Sequence, residues 1–166
     1  MEKIIEKFYL ENPSMERKND VIEYMNEHVK YNSAINGTGS FDHVLEDETY
    51  EECMDRYYKI QDNEYAKSID RCPGKTYFLI RKNDNKLIGM INIRHHLTPK
   101  MLVHGGHIGY GIRPTERRKG YNKINLYLGL LKALEEFNLD KVMLDCDVKN
   151  LGSDKTIQAL GGVLER

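Results

Sequence analysis

The stretch from His107 to Phe137 constrains this chain most. His107-Ile-Gly-Tyr-Gly-Ile112 is β-leaning, and Arg113-Pro114 ends the run. Arg117-Arg-Lys-Gly120 then forms a short basic turn. After it, Ile124, Tyr127, Leu128, Leu131 and Leu134 fall on one stripe at helical spacing, so a long amphipathic helix is predicted over 117–137. A helix start carries free N–H groups and about half a positive charge, and it receives anions directly. Arg117, Arg118 and Lys119 add cationic donors at the same point, and Gly120 leaves the backbone open to close approach. The segment therefore predicts a site for a phosphate-bearing small molecule. Two familiar phosphate motifs are excluded. Pro114 stands where the dinucleotide fingerprint needs its third glycine, and no P-loop sequence occurs.

The flanking sequence predicts a mixed α/β (α+β) domain. Residues 3–10 read as a first strand ended by Asn12-Pro13, and Ser14 can cap a helix carrying Val21, Met25 and Val29. Residues 32–40 read as a loop. Residues 41–61 read as two helices broken at Glu46-Asp47-Glu48, and 62–74 as a surface loop. Residues 76–82 and 86–94 make a hairpin around Asn83-Asp84-Asn85. Asn138 stops the long helix, 141–147 is a further strand, and a last helix runs from Asn150 to Gly161-Gly162. Val163-Leu164 begins another apolar segment. The expected architecture is a mostly antiparallel twisted sheet flanked by helices, with one β–α–β unit at 106–147.

Composition narrows the classes. A length of 166 residues fits one domain, and a net charge of −1 disfavours nucleic acid or an anionic membrane as partner. No apolar run approaches the roughly 18 residues of a membrane span, and Met1-Glu-Lys-Ile-Ile-Glu-Lys7 lacks signal-peptide character. Cys53, Cys72 and Cys146 are odd in number and widely spaced, as expected of reduced thiols in a cytoplasmic protein.

The basic turn resembles the acyl-CoA signature of the GNAT superfamily of N-acyltransferases, Arg/Gln-x-x-Gly-x-Gly/Ala, here Arg117-Arg-Lys-Gly120-Tyr-Asn122. The resemblance runs from about Thr76 to Leu164. It takes in Ile112-Arg113-Pro114, Asn150 beyond the next strand, and the Gly161-Gly162 helix end. The segments 90–96 and 105–110 look like a bacterial subgroup of predicted acetyltransferases. The resemblance implies a GNAT fold and an N-acetyltransferase, with acetyl-CoA as cosubstrate, no metal, and direct attack of an amine on the thioester. The amine would belong to a small molecule or a peptide, and a homodimer is left open. Residues 76–166 would form the acyl-CoA half of a single domain and 1–75 the variable acceptor half. The backbone of Ile112 and Arg113 would pair with pantetheine, and Arg117, Arg118, Lys119, Gly120, Tyr121 and Asn122 would surround the pyrophosphate. Asn150 and Ser153 would approach the thioester, although both are also good helix caps. Two departures stand out. Asn122 replaces a small residue, and the two strands that usually follow the last helix are expected to be truncated, since the sequence stops at Arg166. A CoA-binding or regulatory module without full catalysis is the alternative reading.

The chemistry needs a base, because an amine of pKa ~10 is mostly protonated at neutral pH. Candidates are His95, His96, His107, Asp145 and Asp147, with His107 preferred. Relatives often carry a tyrosine acid on the last helix, where this chain has Ile157, so Tyr121 and Tyr127 are the candidate acids. Cys146 reads as a small buried hydrophobe. His95, His96, His104 and His107 with Asp145 and Cys146 fit no standard zinc spacing. The tyrosines and carboxylates of 46–65 read as a solvated helix face, or alternatively as a lining for a cationic amine.

Overall fold

The hairpin expected over 76–94 is the centre of the sheet. A computed structural model describes residues 1–165. Its strands are β1 (Phe8–Glu11), β2 (Gly74–Arg81), β3 (Lys86–Arg94) and β4 (Ile108–Ile112), and they pair antiparallel in the order β1-β2-β3-β4. Asn85, with φ +52°, takes the left-handed turn position that the hairpin requires. The β2–β3 register slips by one residue between Leu79 and Ile80, which leaves Ile88 as a bulge.

Both sheet faces are covered, so the central strands are apolar throughout instead of alternating. The helices are α1 (Glu2–Ile5), α2 (Lys18–Lys30), α3 (Tyr50–Lys59), α4 (Asn63–Ser68), α5 (Pro99–Val103), α6 (Tyr121–Phe137) and α7 (Leu151–Ala159). On one face α2 and α3 pack Val21, Tyr24, Met25, Tyr50, Met54 and Tyr57 against Phe78, Ile80 and Met90. On the other, α6 and α7 cover Tyr77, Ile91, Ile93 and Ile108 with Leu126, Ala133 and Ile157. α3 starts in a reciprocal cap between Thr49 and Glu52, which is why the acidic run at 46–48 breaks the helical pattern. α6 ends on Asn138 in the left-handed conformation, as the sequence indicates.

Several expectations are corrected. Of the two helices expected over 41–61 only α3 forms, with turns at 42–47, and the helix expected over 117–137 begins at Tyr121. The apolar run at 3–10 divides into the helical turn of α1, whose N–H groups at Ile4 and Ile5 return to the Met1 carbonyl, and the shorter strand β1. Short apolar runs do not distinguish helix from strand by period. The strand at 141–147 does not form. Its attachment to the sheet is local, through the Gly106–Leu144 bridge and the bonds between Met143 and His107. Asp145 accepts from the Gly105 N–H and Asp147 from the Lys149 N–H, so both side chains take backbone donors in competition with a ladder. The β–α–β unit therefore stops at α6. The loop expected at 62–74 contains α4, capped by Asp62.

Candidate active site

The basic turn has the geometry of an anion cradle. Arg118 has φ +60° and Gly120 φ +79°, two left-handed residues within three positions. A Cβ on Gly120 would meet no protein atom within 4 Å, so its backbone conformation demands glycine and the space above it is open. Gly120 is the N-cap of α6 and supplies no side-chain cap. Among the described residues, no acceptor bonds the N–H groups of Arg118, Lys119, Gly120, Tyr121 or Asn122. Arg118, Gly120, Tyr121 and Asn122 line a cavity of about 510 Å³ bounded by the loop at 33–36, β4, the turn and the start of α7.

The open edge of β4 forms the cavity wall. Arg94–His107 and Ile88–Arg113 are hydrogen-bonded pairs at either end of the β3–β4 ladder, so the alternation leaves the N–H and C=O of Ile108, Tyr110 and Ile112 pointing away from β3. The Ile112 carbonyl accepts from Arg117 Nε at 2.9 Å, which fixes that arginine beside the turn. Asn125, fully buried on α6, donates Nδ2 to the carbonyls of Met90 and Gly111 and anchors the helix beneath both strands.

Ile112, Arg117, Arg118, Gly120, Tyr121, Asn122, Asn150 and Ser153 all line this cavity. Asn150 Oδ1 accepts the Ser153 N–H as the cap of α7. The Asn122 Oδ1 is buried and has no hydrogen-bond partner among the described residues. Arg113 and Lys119 do not line it. The Arg113 side chain turns inward to Glu27, Glu23 and the Leu87 carbonyl. Lys119 pairs with Glu116 at 2.8 Å.

His107 is bonded differently from a free base. Its Nδ1 accepts the Met143 N–H at 2.9 Å, and its own N–H donates to nothing in the cavity. Burial lowers this imidazole below its ordinary value. His95 stacks on Phe137 at 5.1 Å. The histidines near the sheet are not brought together as ligands. Among the described residues, the close set of potential metal-binding groups is His43, Glu46 and Asp47, all on the surface side of the 41–49 segment.

Sequence reasoning passed over Tyr110. Its hydroxyl lies 2.6 Å from Ser153 Oγ and lines the cavity. Burial raises its phenol above the ordinary value, and the Ser153 bond works against that rise. The available signal was Gly109-Tyr-Gly111, in which glycines on both sides leave Tyr110 as the one side chain between them on that strand.

A second cavity, of about 590 Å³, meets the first at Asn36. Gly37 makes this meeting possible. It has φ +77°, and a Cβ there would come within 2.6 Å of the Tyr110 Cα, so the loop lies directly on the backbone of β4. The acidic run at 46–52 lines neither cavity. Glu48 is paired with Arg56, Glu51 with Lys18, and Glu52 caps α3.

The site thus sits on a four-stranded antiparallel sheet with helices on both faces, with a helix N-terminus beside the end of β4. A family model described as an acetyltransferase (GNAT) domain matches residues 10–163, and the chain belongs to that family of acyltransferase enzymes. It is similar to the crystal structure of ribosomal-protein-S5-alanine acetyltransferase from Vibrio fischeri, with a TM-score of 0.63 and 17% identity over 96% of this chain and 81% of that one. It is also similar to the microcin C7 self-immunity acetyltransferase MccE, crystallised with acetyl-CoA and AMP, with a TM-score of 0.62 and 17% identity over 99% and 83% of the two chains. At this identity the likenesses establish the fold. No curated protein matches the sequence. No helix among the described residues is long and apolar enough to cross a membrane.

Proposed function

We propose that the chain is an acetyl-CoA-dependent N-acetyltransferase whose first cavity holds the cosubstrate. The observation that carries this reading is the row of unpartnered N–H groups from Arg118 to Asn122 at the cavity mouth. A pyrophosphate there accepts those bonds and sits on the positive end of α6, with Arg117 and Arg118 as flanking cations. The pantetheine arm then runs along the open edge of β4 and pairs with the free backbone groups of Tyr110 and the free N–H of Ile112. Residues 76–166 supply most of this cosubstrate half, while 1–75 supply the loop that faces the acceptor.

The amine nitrogen attacks the thioester carbon, the new N–C bond forms, and the C–S bond breaks. The nitrogen gives up one proton and the thiolate takes one up. Charge developing on the carbonyl oxygen is stabilised by the N–H groups of the β4 edge. The Tyr110 phenol stays protonated at neutral pH and donates a hydrogen bond to the departing sulfur, a role that Ile157 has no hydrogen to fill. Thiol release from acetyl-CoA across a panel of amines tests the reading, and amine-dependent release is expected. Tight acetyl-CoA binding with no release from any amine would instead identify a CoA-binding module.

A further inference from the structure

The second cavity contains a cation whose charge the fold does not neutralise. Arg94 ends β3 and lines this cavity. Its Nη1 donates to the carbonyls of Gly105 at 3.3 Å and Gly106 at 2.8 Å, which holds the guanidinium in place. Among the described residues Nε and Nη2 bond nothing, and neither is sealed from solvent. These two nitrogens carry the parallel N–H bonds of the guanidinium side edge, the fork that matches a carboxylate or phosphate. Nη2 lies 3.4 Å from where a Gly109 Cβ would be, so the absent side chain leaves the fork unobstructed beside β4.

The surrounding charges do not quench it. Among the described residues no carboxylate is in ion-pair range of Arg94, the nearest on this wall being paired elsewhere. Asp42, on the same cavity wall, is already bonded to Thr38 and lies 3.6 Å from Arg71. Asp70 is exposed at the rim, and Arg71 and Lys100 add positive charge to the lining. Burial lowers the Arg94 guanidinium, and the nearby Cys72 and Asp42 only partly oppose that effect. A buried charge is ordinarily paired, and here the protein supplies only backbone carbonyls.

We infer that the acceptor carries an anionic group, a carboxylate or a phosphate, beside its amine, and that the Arg94 fork holds it. This rests on the reading of the first cavity as the acetyl-CoA site. The position of the fork beside Gly109, one residue from Tyr110, puts the anion on the acceptor side of the strand that would hold the thioester. The substrate class is an amino acid or a phosphorylated amine.

The test uses matched amines: glycine against glycinamide, and O-phosphoethanolamine against ethanolamine. The protein should favour the anionic member of at least one pair in kcat/KM by about 10- to 100-fold, the worth of a charge-assisted hydrogen-bonded pair. In Arg94→Gln the ratio should fall towards one, and Arg94→Lys should keep part of it. A ratio taken within one protein does not move if the variant is merely less stable. A parent that ignores the anion, or an R94Q protein that keeps the preference, overturns the inference. A second readout does not need turnover. N-acetylglycine or inorganic phosphate should shift the Arg94 Nε–H resonance saturably, and N-acetylglycinamide should not. Absence of a shift from both anions overturns the inference even if no amine is acetylated. Calorimetry with acetyl-CoA separates the two readings. Normal acetyl-CoA binding with no response at Arg94 removes only this one, and loss of acetyl-CoA binding in the parent removes the reading beneath it.

Discussion

Arg113 at the end of β4 and Glu27 on α2 form a buried ion pair, with Nη2 to Oε2 at 2.5 Å and Nε to Oε2 at 2.7 Å. Glu27 also accepts from the Thr115 N–H and hydroxyl, so one carboxylate ties α2 to both sides of the strand end that precedes the basic turn.

The pair sets a stability prediction. Glu27→Gln leaves the Arg113 charge with only the more exposed Glu23 as partner, at an expected cost of about 2–3 kcal/mol in urea unfolding. Burial alone would raise the Glu27 carboxyl, but the bonds from Arg113 and Thr115 hold it at about 2, against an ordinary 4.5. A depressed carboxyl contributes stability that is complete above its unfolded value and disappears as pH falls through its folded one. The parent should therefore lose stability below 4.5 more steeply than Glu27→Gln.

Tyr110→Phe isolates the proposed thiolate donor. The ring and the β4 backbone remain, and only the hydroxyl bonded to Ser153 is lost. Expected outcomes are an unchanged acetyl-CoA Kd and a kcat about 10- to 100-fold lower in the thiol-release assay. An unchanged kcat removes Tyr110 from the chemistry.

The histidines predict a second pH dependence, opposite in residue type but with the same sign. Burial lowers His28, His95 and His107 below the ordinary 6.5. Their neutral forms stabilise the fold fully above 6.5, and this contribution is lost as pH falls through the folded values. Unfolding free energy should thus fall as pH drops below 6.5. His107→Ala should reduce that slope and loosen the 141–145 segment, seen as faster exchange of the Met143 amide, while acetyl-CoA affinity stays close to the parent's.

Local signals carried the parts of the fold that were legible in the sequence. The 76–94 hairpin, the stripe of α6, its stop at Asn138 and the Asn150 cap all depend on residues within a few positions of one another. The short α5 was not anticipated, although Thr98 caps it and Pro99 stands in its first turn. Features that join distant segments were hidden. The inward turn of Arg113 depends on carboxylates 86 and 90 residues away, and the Tyr110–Ser153 bond spans 43. The segment 141–147 has real strand propensity, yet the Asp145 and Asp147 side chains take local backbone donors instead. Arg94 could not be singled out from sequence either, because only the tertiary structure reveals which of its nitrogens are left without partners.

Acetyl-CoA titrated into the ¹⁵N-labelled protein, with the backbone amides read individually, tests the central claim most directly. The largest shifts should fall at Arg118 to Asn122, with a second set at Tyr110 and Ile112. In Gly120→Ala, which must force a residue with a Cβ to φ +79° at a strain of about 1 kcal/mol, affinity should fall by about tenfold. Saturable binding that leaves the 118–122 amides unmoved, or that is unaffected by Gly120→Ala, would contradict it.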